Sequence, residues 1–230
     1  MTYYSFLLPT RKRTSACINS ILSIYHKAID KFCFEILLAF DVDDVESRDA
    51  VCKFCHDHSI NFKALLSERH GYRHLHRYVN SLCDIASGEM MWLWNDDAMI
   101  LTEGWDEKIK KYGTDKVLDF PNNHYPWIFP LVPSKYVKVM GHFSAQTHND
   151  TWIEYVFSKH LNLWNFVNEV QLYHDRVNNT LGIDFTDVAR DTQESSPEFY
   201  SEKYQKMILE DVDKIKAFLA LPCQDPYISS

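Results

Sequence analysis

The first half of the chain alternates short, strongly apolar segments with longer amphipathic ones, and this alternation limits the possible folds. The apolar segments predict strands at Tyr4–Leu8, Phe34–Phe40, Asn61–Leu66 and Met90–Trp94, and the five apolar residues of the last segment are typical of a strand buried on both faces. The segments between them have helical spacing, and they cover about Thr14–Asp30, Glu46–His58 and Tyr72–Ala86. Such an order with short connections predicts an α/β fold with a mostly parallel central sheet flanked by helices.

Polar residues follow each of these four predicted strands. Right-handed crossover connections bring the carboxyl ends of parallel strands to one edge of the sheet, where open α/β sheets bind their ligands. The residues expected at this edge are Pro9, Thr10, Arg11, the acidic run 41–44, Arg69, Asn95, Asp96 and Asp97. Their convergence predicts one ligand site.

The triplet Asn95-Asp96-Asp97 directly follows the five apolar residues of the fourth predicted strand. Two adjacent carboxylates repel each other unless a cation lies between them, and carboxylate oxygens are good ligands for hard divalent ions. The triplet therefore predicts a Mn²⁺ or Mg²⁺ site with Asp97 as a ligand and Asp96 as a further ligand or a ribose contact. A polar loop that happens to begin with two aspartates is the alternative.

The other groups at the edge suit a nucleoside diphosphate. Asp41 or Asp43 has the acceptor oxygens to bind a base N–H or ribose hydroxyls. The forked guanidinium groups of Arg11, Arg13 and Arg69 suit phosphate oxygens. The alternative for all three is an ordinary solvated loop residue, and for Arg13 this is the favoured interpretation. The alternative for the acidic run is a helix N-cap cluster, in which Asp44 caps the helix that follows.

The order and spacing of these motifs resemble a family 2-type glycosyltransferase of the GT-A fold, a nucleotide-diphospho-sugar transferase. The resemblance covers roughly residues 4 to 110 and rests on segments 6–13, 34–44, 71–80, 87–89 and 94–97. The chain departs from the family pattern in having Asn95 at the first position of the metal triplet and a longer interval between Gly71 and Asn80. The resemblance implies a Rossmann-like GT-A domain with a nucleotide-sugar donor, and UDP is the favoured nucleotide.

The same resemblance implies a catalytic base near the start of a helix in the second half. Asp150 matches that position, with Glu154 one helical turn later as the second candidate; a helix-capping role for Asp150 is the alternative. An inverting enzyme needs such a carboxylate to take the proton of the acceptor hydroxyl. His174, at the end of a predicted strand, resembles an additional metal ligand of some GT-A enzymes, and imidazole suits Mn²⁺.

These expectations divide the chain into a GT-A domain at 1–190 and a C-terminal helical extension at 191–230. Within the domain, residues 1–112 form the nucleotide-sugar-binding half and residues 113–190 the acceptor-binding half. The predicted function is metal-dependent transfer of a sugar to a glycan or another hydroxyl acceptor. A sugar-phosphate nucleotidyltransferase and a catalytically silent nucleotide-sugar-binding module are the alternatives, although the loop after the first strand lacks the glycines that the former normally carries.

The composition limits partners and location. A formal net charge of -8 argues against a nucleic-acid partner, which would need a basic surface. No apolar run approaches the length of a membrane span, and the first residues do not resemble a signal peptide. With six scattered cysteines, the expected location is the reducing cytoplasm.

Overall fold

The alternation of strands and helices expected from the sequence is present in the computed structural model, which describes residues 3–175 and 200–221. The strands in these ranges are β1 Tyr4–Pro9, β2 Phe34–Asp41, β3 Phe62–Ser67, β4 Met90–Leu93, β5 Ala98–Ile100, β6 Val117–Asp119, β7 Leu131–Pro133, β8 Trp164–Phe166 and β9 Leu172–His174. The four strands and three helices predicted in the first half are all confirmed, with ends shifted by a few residues.

The helices lie between and after these strands. They are α1 Thr14–Lys27, α2 Val45–Asp57, α3 Leu75–Ile85, α4 Trp105–Lys110, α5 Ser134–Met140, α6 Asn149–Ile153 and α7 Glu202–Ala220. A 3₁₀ turn at Tyr72–His74 precedes α3, and π-helical turns at Glu154–His160 continue α6. None of the helices in the described ranges is long and apolar enough to cross a membrane.

Seven strands form the central sheet in the order β3-β2-β1-β4-β7-β6-β8. Strands β3, β2, β1 and β4 pair in parallel, β7 is antiparallel to both of its neighbours, and β8 is parallel to β6. The mostly parallel sheet predicted from the sequence is therefore confirmed. Strands β5 and β9 form a separate antiparallel ribbon, and β5 begins at Ala98, directly after the Asp96-Asp97 pair.

Strands β1, β2 and β4 bury side chains on both faces of the sheet, as continuous apolar segments require, whereas the edge strand β3 is partly exposed. Successive residues of a strand point to opposite faces, so Phe6 belongs to one core cluster and Leu7 to the other. The Phe6 cluster is aromatic: the ring of Phe6 stacks on Trp92 at 5.0 Å and meets Trp105 edge-on at 5.5 Å. This rigid core fixes the positions of the strand ends that carry the site.

The C-terminal helix α7 packs on the Leu7 side of the sheet through Ile208, Val212 and Ile215. Its Asp211 is only 1% exposed and accepts hydrogen bonds from Trp152 Nε1 at 3.1 Å and Lys214 Nζ at 2.8 Å. This helix is therefore joined to the rest of the fold by both apolar and polar contacts. The division of the chain at residues 112 and 190 stays a prediction, and residues 190–199 lie outside the described residues.

Two details of the helix starts differ from the expectations. Asp44 precedes α2 but makes no capping hydrogen bond, because its carboxylate accepts from the backbone N–H of Lys12 at 2.6 Å. Residues Asn149 and Asp150 form the first turn of α6, and His148 precedes it, so the expectation that they cap the helix is wrong.

Candidate functional site

The carboxyl ends of β1, β2 and β4 open into a pocket with a volume of about 190 Å³. Its lining includes eight residues expected from the sequence, namely Pro9, Thr10, Arg11, Asp41, Asn95, Asp96, Asp97 and His174. The lining also includes Gly71 and Tyr72, which precede α3, and Leu75 and Tyr78 in its first turn. The convergence of strand ends expected from the crossover rule is thus observed.

Asp96 and Asp97 are buried at the base of this pocket, with 6% and 7% of their surface exposed. The hydroxyl of Thr10 donates to Asp96 Oδ2 at 2.8 Å, which ties the end of β1 to the end of β4. Arg13 Nη1 donates to Asp96 Oδ1 at 2.9 Å and to Asp97 Oδ2 at 3.2 Å. The interpretation of Arg13 as a solvated loop residue is therefore wrong, because its side chain is 12% exposed and bridges both carboxylates.

His174 reaches the same pair of carboxylates from β9. The β5–β9 ladder pairs Ala98 with His174, so the imidazole lies beside the residue that precedes Ala98, and its Nε2 is 3.1 Å from Asp97 Oδ1. The side chain of Asn123 fixes the backbone of His174, accepting from its N–H at 2.7 Å and donating to its carbonyl at 3.1 Å. His174 is thus held in place by both a ladder and a side-chain clamp.

The two carboxyl groups have different proton affinities. Burial, together with the negative charge of Asp97, raises the pKa of Asp96. Burial would raise the pKa of Asp97 as well, but hydrogen bonding and charge from His174 and Arg13 outweigh burial and lower it. Asp97 is therefore the carboxyl group of this pair that keeps its negative charge to lower pH.

The chemistry of Asp96, Asp97 and His174 suits Mn²⁺ or Mg²⁺, since it offers carboxylate oxygens and one imidazole. The buried Asp97 Oδ1 has no hydrogen-bond partner in the described ranges, and His174 Nε2 lies 3.1 Å from it, so this oxygen and this nitrogen face the same point. In the described part of the chain, however, no three His, Cys, Asp or Glu side chains are gathered in a ready-made metal cage. The donor set fits a divalent ion if the guanidinium of Arg13 moves away from the carboxylates.

A second ion-pair cluster lies at the end of β2. Arg11 Nη1 is 2.6 Å from Asp41 Oδ2 and 2.5 Å from Asp43 Oδ1. Tyr78 donates its hydroxyl hydrogen to Asp41 and accepts from the backbone N–H of His70 at 2.8 Å. Hydrogen bonding to Arg11 lowers the pKa of the exposed Asp43 to about 2, whereas Asp41 is only 4% exposed and lines the pocket.

Four residues expected at the site do not line the pocket. Asp43 lies at the rim of the pocket, where it accepts a hydrogen bond from Arg11, and Arg69 is exposed to solvent outside the pocket. Asp150 is in the first turn of α6, where its carboxylate accepts from the backbone N–H of Thr151 at 2.8 Å and burial raises its pKa. Glu154 is 6% exposed and forms an ion pair with Lys159 at 3.0 Å. The role of Asp150 or Glu154 as a base stays a prediction.

The sequence offered weak signals for the residues that were missed. Gly71 has a φ of 71°, in the region that favours glycine, and it stands where the chain turns from β3 into the helix of Tyr78. Tyr78 belongs to the apolar face of α3, so its spacing shows burial but not the hydrogen bond to Asp41.

The parallel β1–β4 core, the reversed strand β7 and a pocket lined by an Asp-Asp pair define the GT-A fold. Comparison with solved structures agrees with this class, since the similar chains are GT-A-type glycosyltransferases. No protein-family profile matches the sequence. No curated protein matches it either.

The similar structures include residues 1–349 of S. aureus TarS in complex with UDP, with a TM-score of 0.65 and 13% identity. That comparison covers 91% of this chain and 65% of the TarS chain, so this chain spans about two thirds of its length. The mannosyltransferase PcManGT from Pyrobaculum calidifontis, in complex with GDP-Man and Mn²⁺, has a TM-score of 0.59 and 12% identity, over 94% of this chain and 74% of that one. At these identities the similarity shows the fold.

Proposed function

We propose that this protein is a glycosyltransferase that moves a sugar from a nucleoside-diphosphate sugar, with UDP favoured, to the hydroxyl group of a glycan or another acceptor. The observation that carries the proposal is the pocket itself, which has Asp41 at one end and Asp96, Asp97 and His174 at the other. A nucleoside diphosphate needs hydrogen-bond acceptors for its base or ribose and a cation site for its phosphates. Similar structures that contain UDP, UDP-GlcNAc or GDP-Man support the donor class.

Asp41 accepts hydrogen bonds from the nucleobase or ribose in this proposal. Its carboxylate is already oriented by Tyr78 and Arg11, so little side-chain freedom is lost when the nucleoside binds. Pro9, Thr10 and Asn95 form the walls next to it, and Asp96 is positioned by Thr10 to contact the ribose. The phosphate contacts proposed for Arg11 and Arg69, and the nucleoside contact of Asp43 that is the alternative to Asp41, lie at the outer rim of the pocket.

Asp97, Asp96 and His174 are the residues that would hold Mn²⁺ or Mg²⁺. When bound, the ion neutralises negative charge on the departing nucleoside diphosphate. The Mn²⁺ present with GDP-Man in the similar mannosyltransferase supports this part of the proposal. Before the ion binds, Arg13 and His174 favour the ionised form of Asp97 by lowering its pKa.

Asp150 is the proposed base for an inverting reaction. In this reaction the acceptor hydroxyl attacks the anomeric carbon, the bond from that carbon to the diphosphate oxygen breaks, the nucleoside diphosphate leaves, and Asp150 takes the hydroxyl proton. Burial raises the pKa of this carboxyl group, which makes its carboxylate a better proton acceptor. Glu154 is the second candidate, and its carboxylate forms an ion pair with Lys159. The proposed location is the cytoplasm, which the five free cysteines among the described residues support.

Calorimetric titration of the protein with UDP, GDP and uridine, with and without Mn²⁺, tests the donor class. Release of UDP or GDP from a panel of nucleotide sugars then tests turnover. We expect Asp150→Asn to bind the donor normally and to lose transfer by about 100-fold or more, whereas Glu154→Gln retains it. Pyrophosphate release from a nucleoside triphosphate would favour the nucleotidyltransferase, and tight donor binding without turnover would favour the silent binding module.

A further inference from the structure

We propose that Arg13 is an exchangeable counter-ion: its guanidinium holds Asp96 and Asp97 without metal, is displaced when a divalent ion binds, and then contacts the donor diphosphate. This inference rests on the proposed function, because it assumes that the two carboxylates bind a metal ion. It assigns to Arg13 a role that couples metal binding to donor binding. It also distinguishes Arg13 from the neighbouring basic residues Arg11 and Lys12.

Arg13 occupies one oxygen of each carboxylate that a metal ion could use. One oxygen of each carboxylate, Asp96 Oδ1 and Asp97 Oδ2, accepts from Arg13 Nη1. The other two oxygens face Thr10 and His174, at 2.8 Å and 3.1 Å. An ion that used Asp96 Oδ1 or Asp97 Oδ2 would need an oxygen that the guanidinium now contacts, whereas Asp97 Oδ1 has no hydrogen-bond partner among the described residues.

Charge adds to this competition. The two carboxylates carry at most two negative charges, and Arg13 already supplies one positive charge within hydrogen-bond distance. A divalent ion beside an unmoved Arg13 would put two cations next to each other in a buried site, where repulsion is poorly screened. Departure of Arg13 removes that repulsion and frees both oxygens.

The displaced side chain remains in the same pocket. Arg13 itself lines the cavity, and its backbone is fixed at the start of α1 by the hydrogen bond from Cys17 N to its carbonyl at 2.9 Å. A rotation of the side chain alone therefore moves the guanidinium within the space that a diphosphate would occupy. Arginine binds phosphate oxygens through charge-assisted hydrogen bonds, so the donor stabilises the displaced position.

Mn²⁺ affinity, measured by electron paramagnetic resonance of free Mn²⁺, tests the first half of the inference on the full-length protein without nucleotide. We expect Arg13→Gln to bind Mn²⁺ about tenfold more tightly than the wild type, since the competing cation is gone. Lys12→Gln is the matched control, because it removes the same charge from an exposed neighbour that does not line the pocket. We expect no change of Mn²⁺ affinity in that variant.

The second half predicts a loss of coupling. In the wild type, UDP and Mn²⁺ should each tighten the binding of the other, and Arg13→Gln should reduce this mutual effect about tenfold. Calorimetric titration with UDP at zero and at saturating Mn²⁺ measures this mutual effect as the ratio of the two UDP affinities. Arg13→Lys keeps the positive charge but loses the forked donor, so it should retain near wild-type Mn²⁺ affinity with weakened UDP binding. This variant replaces Arg13→Gln in the test if the glutamine variant does not fold.

The possible outcomes separate the two proposals. If the wild type binds UDP and Mn²⁺ but Arg13→Gln binds Mn²⁺ no more tightly, the counter-ion role is overturned and the proposed function stands. If the wild type binds no Mn²⁺ even with UDP, the metal assignment fails and the counter-ion role fails with it. Equal gains of Mn²⁺ affinity in Arg13→Gln and Lys12→Gln would show a general charge effect and would also overturn the inference.

Discussion

Two acidic pairs at one sheet edge are neutralised by two different arginines. Arg11 pairs with Asp41 and Asp43 at the end of β2, and Arg13 pairs with Asp96 and Asp97 at the end of β4. Lys12 between them has a left-handed φ of 53°, so the chain turns there and the flanking side chains reach different clusters. The two ends of the pocket are therefore separate units that mutations can test one at a time.

The nucleoside end is tested by Asp41→Asn. Loss of a charged acceptor should weaken UDP and uridine binding to a similar extent, by about tenfold or more, whether or not Mn²⁺ is present. Asp43→Asn is the comparison variant, because the side chain of Asp43 is 56% exposed and lies at the rim. Calorimetry on both variants decides between the two acids, and a larger loss in Asp43→Asn would assign the nucleoside contact to that residue instead.

The phosphate end is tested by Asp97→Asn. This substitution keeps the size of the side chain but removes the charge that would hold the ion, so Mn²⁺ should no longer strengthen UDP binding. Uridine has no phosphates, and its affinity should stay at the wild-type value. A Mn²⁺-dependent gain in UDP affinity that survives in Asp97→Asn, measured by the same titrations, would remove Asp97 from the metal site.

Among the elements, the loop between β6 and β7 is fixed by one buried carboxylate. Asp119 accepts from the backbone N–H of Phe120 at 2.9 Å and from that of Trp127 at 3.0 and 3.1 Å. Trp127 itself has a left-handed φ of 64°, an unfavourable conformation for an aromatic residue, which these hydrogen bonds stabilise. The same loop carries Asn123, which holds the backbone of His174.

Asp119 should make stability depend on pH. Burial raises its pKa to about 6, so between its ordinary value of 3.8 and about 6 the folded protein holds a proton that the unfolded chain has released. Its contribution to stability is therefore largest at low pH and is lost as pH rises through this window, by roughly 2–3 kcal/mol. Asp119→Asn should remove that part of the slope in urea unfolding between pH 4 and 7, and an unchanged slope would contradict the assignment.

At the scale of the whole molecule, α7 contributes to the stability of the fold. Ile208 is fully buried against the second core cluster, whereas the adjacent Leu209 is 49% exposed. Truncation of Ile208 to alanine should lower the free energy of unfolding by about 2–4 kcal/mol, because a cavity is left in the core. Leu209→Ala is the matched control and should cost about 0.5 kcal/mol or less in urea titration. Equal effects of the two substitutions would mean that α7 is not packed on the core.

The sequence predicts the first half of the molecule better than the second, for a physical reason. Strands β1 to β3 have six to eight residues, which is long enough for each to be recognised in the sequence as a strand between two helical segments. Strands β6 to β9 have three residues each, and their pairing depends on distant partners. The predicted strand that carries His174 at its end is accordingly only three residues long in the structure, Leu172–His174.

The residues of the candidate site also fall into a group that the sequence predicts and a group that it does not. The strand-end residues Thr10, Asp41 and Asp96 follow from the crossover rule, because topology alone brings them together. The bridging role of Arg13 did not, since Arg11, Lys12 and Arg13 are equivalent basic residues until the backbone turn at Lys12 is known. The contact between His174 and Asp97 depends on a ladder between segments far apart in the chain, which local patterns do not encode.

The β5–β9 ladder has a consequence for how the chain acquires its site during synthesis. Asp41, Tyr78 and the Asp96-Asp97 pair all emerge from the ribosome in the first half of the chain, and Thr10 meets Asp96 across 86 residues. His174 and the clamp of Asn123 come much later. A growing chain therefore completes its nucleoside end well before its cation end, and a donor molecule meets both ends only once translation has passed β9.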